Sequence, residues 1–295
     1  MSTIGANRSA PATAPALRER WREQGFVLLP NFFTEDEIAR LRELVDRYVE
    51  DSAGVTASND VYDLDPQHTA SKPRVRRIKN PDTLDQLFRG FARDARIVEV
   101  LQDLLGTGIR LEVGKVNLKP PGGDGAIHWH QDYPFSPLTN DDSAAVGIFI
   151  DDVTEQNGPL LVVPGSHREP LCDHHRAGRF VGRVDAERSA AAENAAVALT
   201  GPAGSITIHH CRTLHSSDVN RSDRTRRIYF NQYHAADAWP LLGVPDLEWW
   251  GERLLAGREC YRPRITMTDV KLPLPRQPYG SIFEVQAAVN ESSKR

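Results

Sequence analysis

Between Thr34 and Tyr48 apolar residues recur at the helical period, at Ile38, Leu41, Leu44, Val45 and Tyr48, with charged residues on the opposite face. That pattern predicts an amphipathic helix packed along one side. Thr34 followed three residues later by Glu37 is a capping-box signature for its start. Just upstream, Phe26-Val27-Leu28-Leu29-Pro30 reads as a short strand, and a second helical region is predicted from about Thr83 to Leu105, broken in the middle and stopped by Gly106. From Ile109 onward the period changes. Short β-like runs, "IRLEVGKVNLKP", "AAVGIFID", "LLVVPGS", "AVAL", "GSITIHH" and "RIYFNQY", are separated by Pro, Gly, Asn and Asp. This density of strands without a βαβ rhythm predicts a sandwich or barrel, an α+β chain that is mainly β: a jelly roll buttressed by N-terminal helices. The Ala-rich tract from Ser189 to Ala198 reads as a surface excursion, partly helical.

Residues 1–16, "MSTIGANRSAPATAPA", are expected to be a disordered lead-in, and residues 17–295 a single domain. The lead-in has no apolar run of signal-peptide length, and nowhere do roughly 18 consecutive apolar residues occur, so no membrane association is expected. A formal net charge of −4 excludes the basic field that sequence-independent nucleic-acid binding requires. Cys172, Cys211 and Cys260 are odd in number and far apart, which suits a reducing compartment, and the protein is expected to be cytoplasmic.

The chemistry concentrates in "HWHQDYPF", His128 to Phe135. In an extended segment side chains at i and i+2 project to one face, so His130 and Asp132 could reach one ion while Gln131 points elsewhere. An imidazole and a carboxylate are two thirds of the facial triad that binds Fe(II) and leaves positions open for reactants. The third ligand would come from His167, His174, His175, His209, His210, His215 or His234, among which the count does not decide. A cupin-type reading uses His128 and His130 as an HxH pair instead. The local "HHCRTLH" invites zinc, but structural zinc takes four ligands at tighter spacings.

Three features follow one another in order: the HxD, the block "NGPLLVVPGSH" ending at His167, and His215 with Arg226 eleven residues beyond it. In these the chain resembles the phytanoyl-CoA dioxygenase-like (PhyH) family of Fe(II)/2-oxoglutarate-dependent oxygenases, especially bacterial members, over roughly Phe26 to Gln286. The resemblance implies a double-stranded β-helix (jelly roll, cupin-like) and iron held by His130, Asp132 and His215. It also implies Arg226 pairing with the distal carboxylate of 2-oxoglutarate, Ser217 touching the same carboxylate, and Asn117 and Lys115 contacting the cosubstrate. A planar, always-charged guanidinium suits that bidentate role. The activity so implied consumes O2 and 2-oxoglutarate, releases succinate and CO2, and hydroxylates a C–H bond of a small metabolite. In related halogenases a small residue replaces the carboxylate, so Asp132 favours hydroxylation. A non-catalytic jelly-roll binding protein is the remaining alternative, and the four intact positions argue against it. For substrate, "KPRVRRIK" (Lys72 to Lys79) offers cations for a carboxylate, phosphate or phosphonate, with a solvated strand burying Val75 and Ile78 as the plainer reading. Tyr133, Phe135, Phe180, Tyr233 and Trp239 are candidate pocket aromatics, and His174, His175 and Asp237 candidate polar contacts.

Overall fold

The computed structural model of the protein describes residues 14–123, 125–275 and 282–286, together with the backbone of Ser2–Gly5. In chain order the elements are β1 (Ser2–Gly5), α1 (Ala14–Gln24), β2 (Phe26–Leu29), α2 (Glu35–Asp51), β3 (Tyr62–Leu64), β4 (Val75–Lys79), α3 (Pro81–Leu84), α4 (Gln86–Ala92), α5 (Ala95–Leu105), β5 (Ile109–Lys119), β6 (Ile127–His130), β7 (Ser143–Phe149), β8 (Leu160–Val162), β9 (His175–Arg176), β10 (Arg179–Phe180), α6 (Ala186–Ala195), β11 (Val197–Thr200), β12 (Ile206–His210), β13 (His215–Ser217), β14 (Arg226–Ala235), α7 (Leu247–Glu252) and β15 (Leu254–Ala256). The lead-in is shorter than expected. Helix α1 already opens at Ala14, because Leu17 and Trp21 give it a buried face, and Ser2–Gly5 runs parallel to Val197–Thr200. The rest of the expected lead-in, residues 1 and 6–13, lies outside the described residues.

Two sheets form a double-stranded β-helix. The larger runs β2-β12-β7-β14-β5-β4-β3, with β15 also on β5, and the smaller runs β1-β11-β8-β13-β6. The helices cover the outer face of the larger sheet. Ile38, Leu41, Leu44 and Val45 of α2, with Phe88, Ile97 and Leu101 of α4 and α5, pack on Val116, Leu118, Ile148, Ile206, Ile208 and Tyr229. Burying each such side chain contributes about 1.5–3 kcal/mol before chain entropy is counted. The capping box at α2 forms as expected: Thr34 Oγ1 accepts from the Glu37 N–H, and Glu37 accepts from the Thr34 N–H. The second helical region is three pieces, closed at Gly106 with φ 111°.

The inner face of the larger sheet is polar where the outer face is not. On β5, Val116 and Leu118 enter the core, while Lys115, Asn117 and Lys119 line a cavity between the sheets. The period-2 alternation of a strand thus makes one surface for stability and one for chemistry.

Candidate metal centre and cosubstrate cavity

Strands β6 and β13 of the smaller sheet are paired with His130 opposite His215. Their ring centroids are 4.1 Å apart. His130 Nδ1 lies 2.7 Å from the His128 carbonyl, and His215 Nδ1 lies 2.8 Å from the Thr213 carbonyl. A carbonyl only accepts, so both Nδ1 atoms carry the proton and both Nε2 lone pairs are free, the arrangement that outer hydrogen bonds impose on metal-binding imidazoles. Asp132 Oδ1 completes the group at 3.9 Å from His130 Nε2 and 3.7 Å from His215 Nε2. One ligand atom from each of the three residues falls within 4.8 Å of the others, the single such cluster of metal-capable side chains among the described residues. The set fits iron by donor type as well as spacing: two neutral nitrogens and one oxygen on one side, with open space on the other.

Asp132 reaches this position by a different route from the one its spacing suggested. Strand β6 ends at His130, and Asp132 has helical dihedrals (φ −71°, ψ −37°) at the start of the tight turn Tyr133–Phe135. The turn, and not strand parity, brings its carboxylate back beside the imidazoles. Gln131 holds the corner, its side-chain NH2 donating to the Arg212 carbonyl at 2.7 Å and its backbone N–H to His174 Nε2 at 2.9 Å.

Electrostatics favour ligation. Burial, then the neighbouring His215, keeps the His130 imidazole well below its usual range, and burial draws His215 down to about 4. Burial alone would raise the Asp132 carboxyl, but His215, His209 and Lys115 hold it well below the usual carboxylate range. At neutral pH the triad is two neutral imidazoles and one carboxylate, which needs no proton released before a cation binds.

The cavity beyond the triad is open to solvent, and its empty space, the open solvent at its mouth counted, comes to about 570 Å³. Arg226 is buried in its wall. Its Nη2 donates to the Gly158 carbonyl at 2.6 Å and lies 3.4 Å from Ser217 Oγ, while Ser217 Oγ donates to the same carbonyl at 3.0 Å. Gly158 has φ +76°, and a Cβ there would meet the Asp218 carbonyl at 2.5 Å and Lys119 Cδ at 2.9 Å, so the "NG" of the sequence block is a backbone requirement of this corner. Burial lowers the Arg226 guanidinium to about 10, against the pull of Asp151, and it stays charged at neutral pH.

Of the residues expected from sequence, His130, Asp132, His215, Arg226, Ser217, Asn117 and Lys115 all line this one cavity. Asn117 Oδ1 accepts from Arg77 Nε at 3.2 Å. Other expectations fail. His128 is exposed and offers only its carbonyl to the site, because an irregularity in the β6–β13 pairing puts Ile127 and His130 on the cavity, so the HxH pairing has no geometry. Tyr233 is a core residue whose hydroxyl donates to the Ala92 carbonyl, and Tyr133 likewise donates to the Leu138 carbonyl. Trp239 donates to the Cys260 carbonyl, and Phe180 packs on Phe135, itself edge-on to His130 at 5.6 Å. His175 pairs with Asp173, and Asp237 with Arg264. The aromatic side chain that lines the cavity is Phe230. Three further polar residues line the wall: Lys119, which the sequence did not point to, His209, one of the candidate third ligands, and Arg77 of the basic run Lys72 to Lys79. Lys119 donates to the carbonyls of Ser217 (3.0 Å) and Asp218, bracing the exit of β13. His209 Nε2 stands 3.3 Å from Asp132 Oδ2, and Arg77 enters from β4. Alternation could have placed the first two, since Lys119 shares parity with Lys115, and His209 is the in-facing partner of Ile206 and Ile208.

The phytanoyl-CoA dioxygenase (PhyH) family matches residues 21–228. The chain belongs to this family. A similar protein is the "probable alpha-ketoglutarate-dependent hypophosphite dioxygenase" of Stutzerimonas stutzeri, 34% identical over 279 residues that cover 93% of this chain and 97% of the relative. The L-proline trans-4-hydroxylase of Streptomyces griseoviridis is 25% identical over 260 residues, covering 77% and 90%. Among solved structures, EctD from S. alaskensis with 2-oxoglutarate and 5-hydroxyectoine aligns with a TM-score of 0.67 at 25% identity, covering 91% of each chain. This PhyH member is an iron- and 2-oxoglutarate-dependent dioxygenase that acts on a small molecule. No helix among its described residues is long and apolar enough to cross a membrane.

Proposed function

We propose that His130, Asp132 and His215 hold the iron, that Arg226 and Ser217 bind the distal carboxylate of 2-oxoglutarate with Asn117 beside it, and that Lys115 faces the chelating end. The observation that carries this is the convergence of two free Nε2 atoms and one carboxylate on a cavity that also contains a buried guanidinium. His215 and Ser217 are two residues apart on β13, a rise of about 6–7 Å, which suits a five-carbon diacid chelated at one end and salt-bridged at the other. Lys115 is close enough to influence Asp132 and His215 electrostatically, which supports its assignment to the metal end. When bound, the iron and cosubstrate supply the oxidising chemistry. The protein orients the diacid, keeps the imidazoles in one tautomer and holds one substrate bond at the reacting centre.

For substrate the reading is a small anion. Arg77, Lys115, Lys119 and Arg226 line the cavity against one acidic side chain, Asp132. The 34% identical relative, by its name, acts on hypophosphite. With that substrate one oxygen atom of O2 enters a P–H bond to give phosphite, the other enters succinate, and CO2 leaves; the same machinery would serve a C–H bond. The three cysteines are free thiols, which supports the cytoplasm as the setting, and the net charge of −4 argues against nucleic acid as a partner. A single domain fits the continuous helix-backed double sheet. Incubation of the Fe(II)-loaded protein with hypophosphite, 2-oxoglutarate and O2 is expected to yield phosphite by phosphorus NMR and equimolar succinate. Succinate release that neither hypophosphite nor any other small oxyanion stimulates would overturn the substrate reading.

A further inference from the structure

Arg77 is a buried cation with an unused donor. It stands on β4 opposite Asn117, is 7% exposed, and lines the cavity that contains the triad. Its Nε is committed, donating to Asn117 Oδ1 at 3.2 Å with Asp63 Oδ2 at 3.8 Å, and Asp63 Oδ1 is in turn 3.0 Å from Lys79 Nζ. Its guanidinium lies over the ring of Phe283 at 5.4 Å. Its Nη2 is buried with no hydrogen-bond partner among the described residues. A buried N–H of a guanidinium without an acceptor is costly, and such groups are satisfied in native proteins when a ligand or water supplies the oxygen.

The distal carboxylate of the cosubstrate is assigned above to Arg226 and Ser217, on other strands than Arg77. Arg77 faces Asn117 across β5 from one side, while Arg226 faces Lys119 from the other. The two side chains leave the sheet two strand spacings apart and two residues offset along it, about 12 Å between their Cα atoms. With that carboxylate on Arg226, the Nη2 of Arg77 is left for a second anion. Beside Arg77, Asp63 lies 3.8 Å from Nε and 3.0 Å from Lys79 Nζ but makes no hydrogen bond to Nη2. Glu284, in the helical residues 282–286, also contributes a favourable charge, and Ile282 of the same segment lines the cavity.

We propose that Arg77 is the anchor for the primary substrate, its Nη2 donating to an oxygen of a compact oxyanion that sits beside the cosubstrate and beneath Ile282 and Phe283. This rests on the oxygenase reading above and names the residue that gives it an anionic substrate. The remaining donor capacity of the guanidinium fixes the anion's orientation, and Asn117, bonded to Nε, couples the substrate anchor to the cosubstrate wall.

The test compares wild type with Arg77→Met and Arg77→Lys, using hypophosphite as probe and two separate titrations. In anaerobic Fe(II) protein, 2-oxoglutarate binding is followed by the visible chelate band; hypophosphite binding to that complex is followed by calorimetry. Arg77→Met is expected to leave the band's half-saturation within about twofold and to weaken hypophosphite by about 30-fold or more, the loss typical of a buried charge-assisted contact. Arg77→Lys should lie between, and added guanidinium ion should restore hypophosphite-stimulated succinate release to the Met variant. Equal weakening of 2-oxoglutarate would overturn the proposal, making Arg77 a support for Asn117. Unchanged hypophosphite binding in a variant that keeps the band would overturn it too. A wild type that forms the band but binds neither hypophosphite nor phosphite nor another small oxyanion would refute the anionic-substrate reading along with the anchor. A wild type that forms no band would refute the oxygenase site itself.

Discussion

Strand β12 carries two adjacent histidines that face opposite ways, and each joins a cluster rich in imidazoles. His209 faces inward beside His215, with ring centroids 4.6 Å apart, and beside Asp132. His210 faces the other side, 5.3 Å from His167 and 5.5 Å from Trp21, next to Cys211. Both sets are buried, and both contain imidazoles of the kind that bind metals. Only the first has its lone pairs converging on open space with a carboxylate among them. In the second, His210 Nδ1 accepts from the Arg212 backbone N–H and His167 Nε2 bonds to the Arg22 carbonyl. The neighbouring Asp141 is occupied by Arg212 at 2.8 Å. Gly25 seals that cluster, since a Cβ there would come 2.3 Å from His167 Nδ1. Imidazole count therefore says little, and the direction of the free nitrogens relative to a carboxylate says most.

The largest separation between the two clusters should come from Asp132→Ala. Iron affinity is expected to fall by more than the roughly 100-fold that loss of an outer hydrogen-bond partner produces, with turnover abolished. Iron analysis after desalting checks this, and normal iron content would break the distinction. Next in size, Arg226→Leu should raise the 2-oxoglutarate concentration for half-maximal turnover about 100-fold while the metal stays bound. A smaller effect is expected at His209→Phe, which removes the group beside Asp132 Oδ2. Co(II) used as a spectroscopic probe should bind about 10-fold more weakly with a shifted visible spectrum, and His209→Gln should recover part of the loss. An unaltered Co(II) spectrum in the Phe variant would reduce His209 to packing.

The smallest and most local change should be seen at His210→Gln, which is expected to keep iron and the chelate band. Burial pulls His210 down to about 3 in the folded protein, whereas an unfolded histidine titrates near 6.5. Between these values the unfolded chain takes up a proton that the folded chain refuses, so wild type loses stability as pH falls from about 6.5 toward 3. The Gln variant should lack that component, and its urea midpoint should decline less steeply with acid. An identical pH slope would show that His210 is not the titrating group.

The sequence made much of this legible. Helical periodicity found α2 and its cap because an amphipathic face announces itself locally, and the resemblance carried by HxD, "NGPLLVVPGSH" and the His-to-Arg spacing pointed to the four side chains, His130, Asp132, His215 and Arg226, that converge on one cavity. Strand parity points to Asp132 for the wrong reason, because a turn at Tyr133–Phe135 is invisible to an alternation rule. What could not be read were contacts between strands distant in sequence. Arg77 meets Asn117 only through the β4–β5 pairing, and residues 282–286 reach the cavity mouth by returning from the far end of the chain. The candidate aromatics misled because Tyr133 and Tyr233 satisfy their hydroxyls on backbone carbonyls deep in the core.

The cavity joins the triad to Arg226. An anaerobic titration of Fe(II)-loaded protein with 2-oxoglutarate, run beside Arg226→Leu, tests it most directly. A saturable visible charge-transfer band, weakened in the variant and unaffected in His210→Gln, is the predicted result. Protein that retains iron and gives no band, or a band indifferent to Arg226, would contradict it.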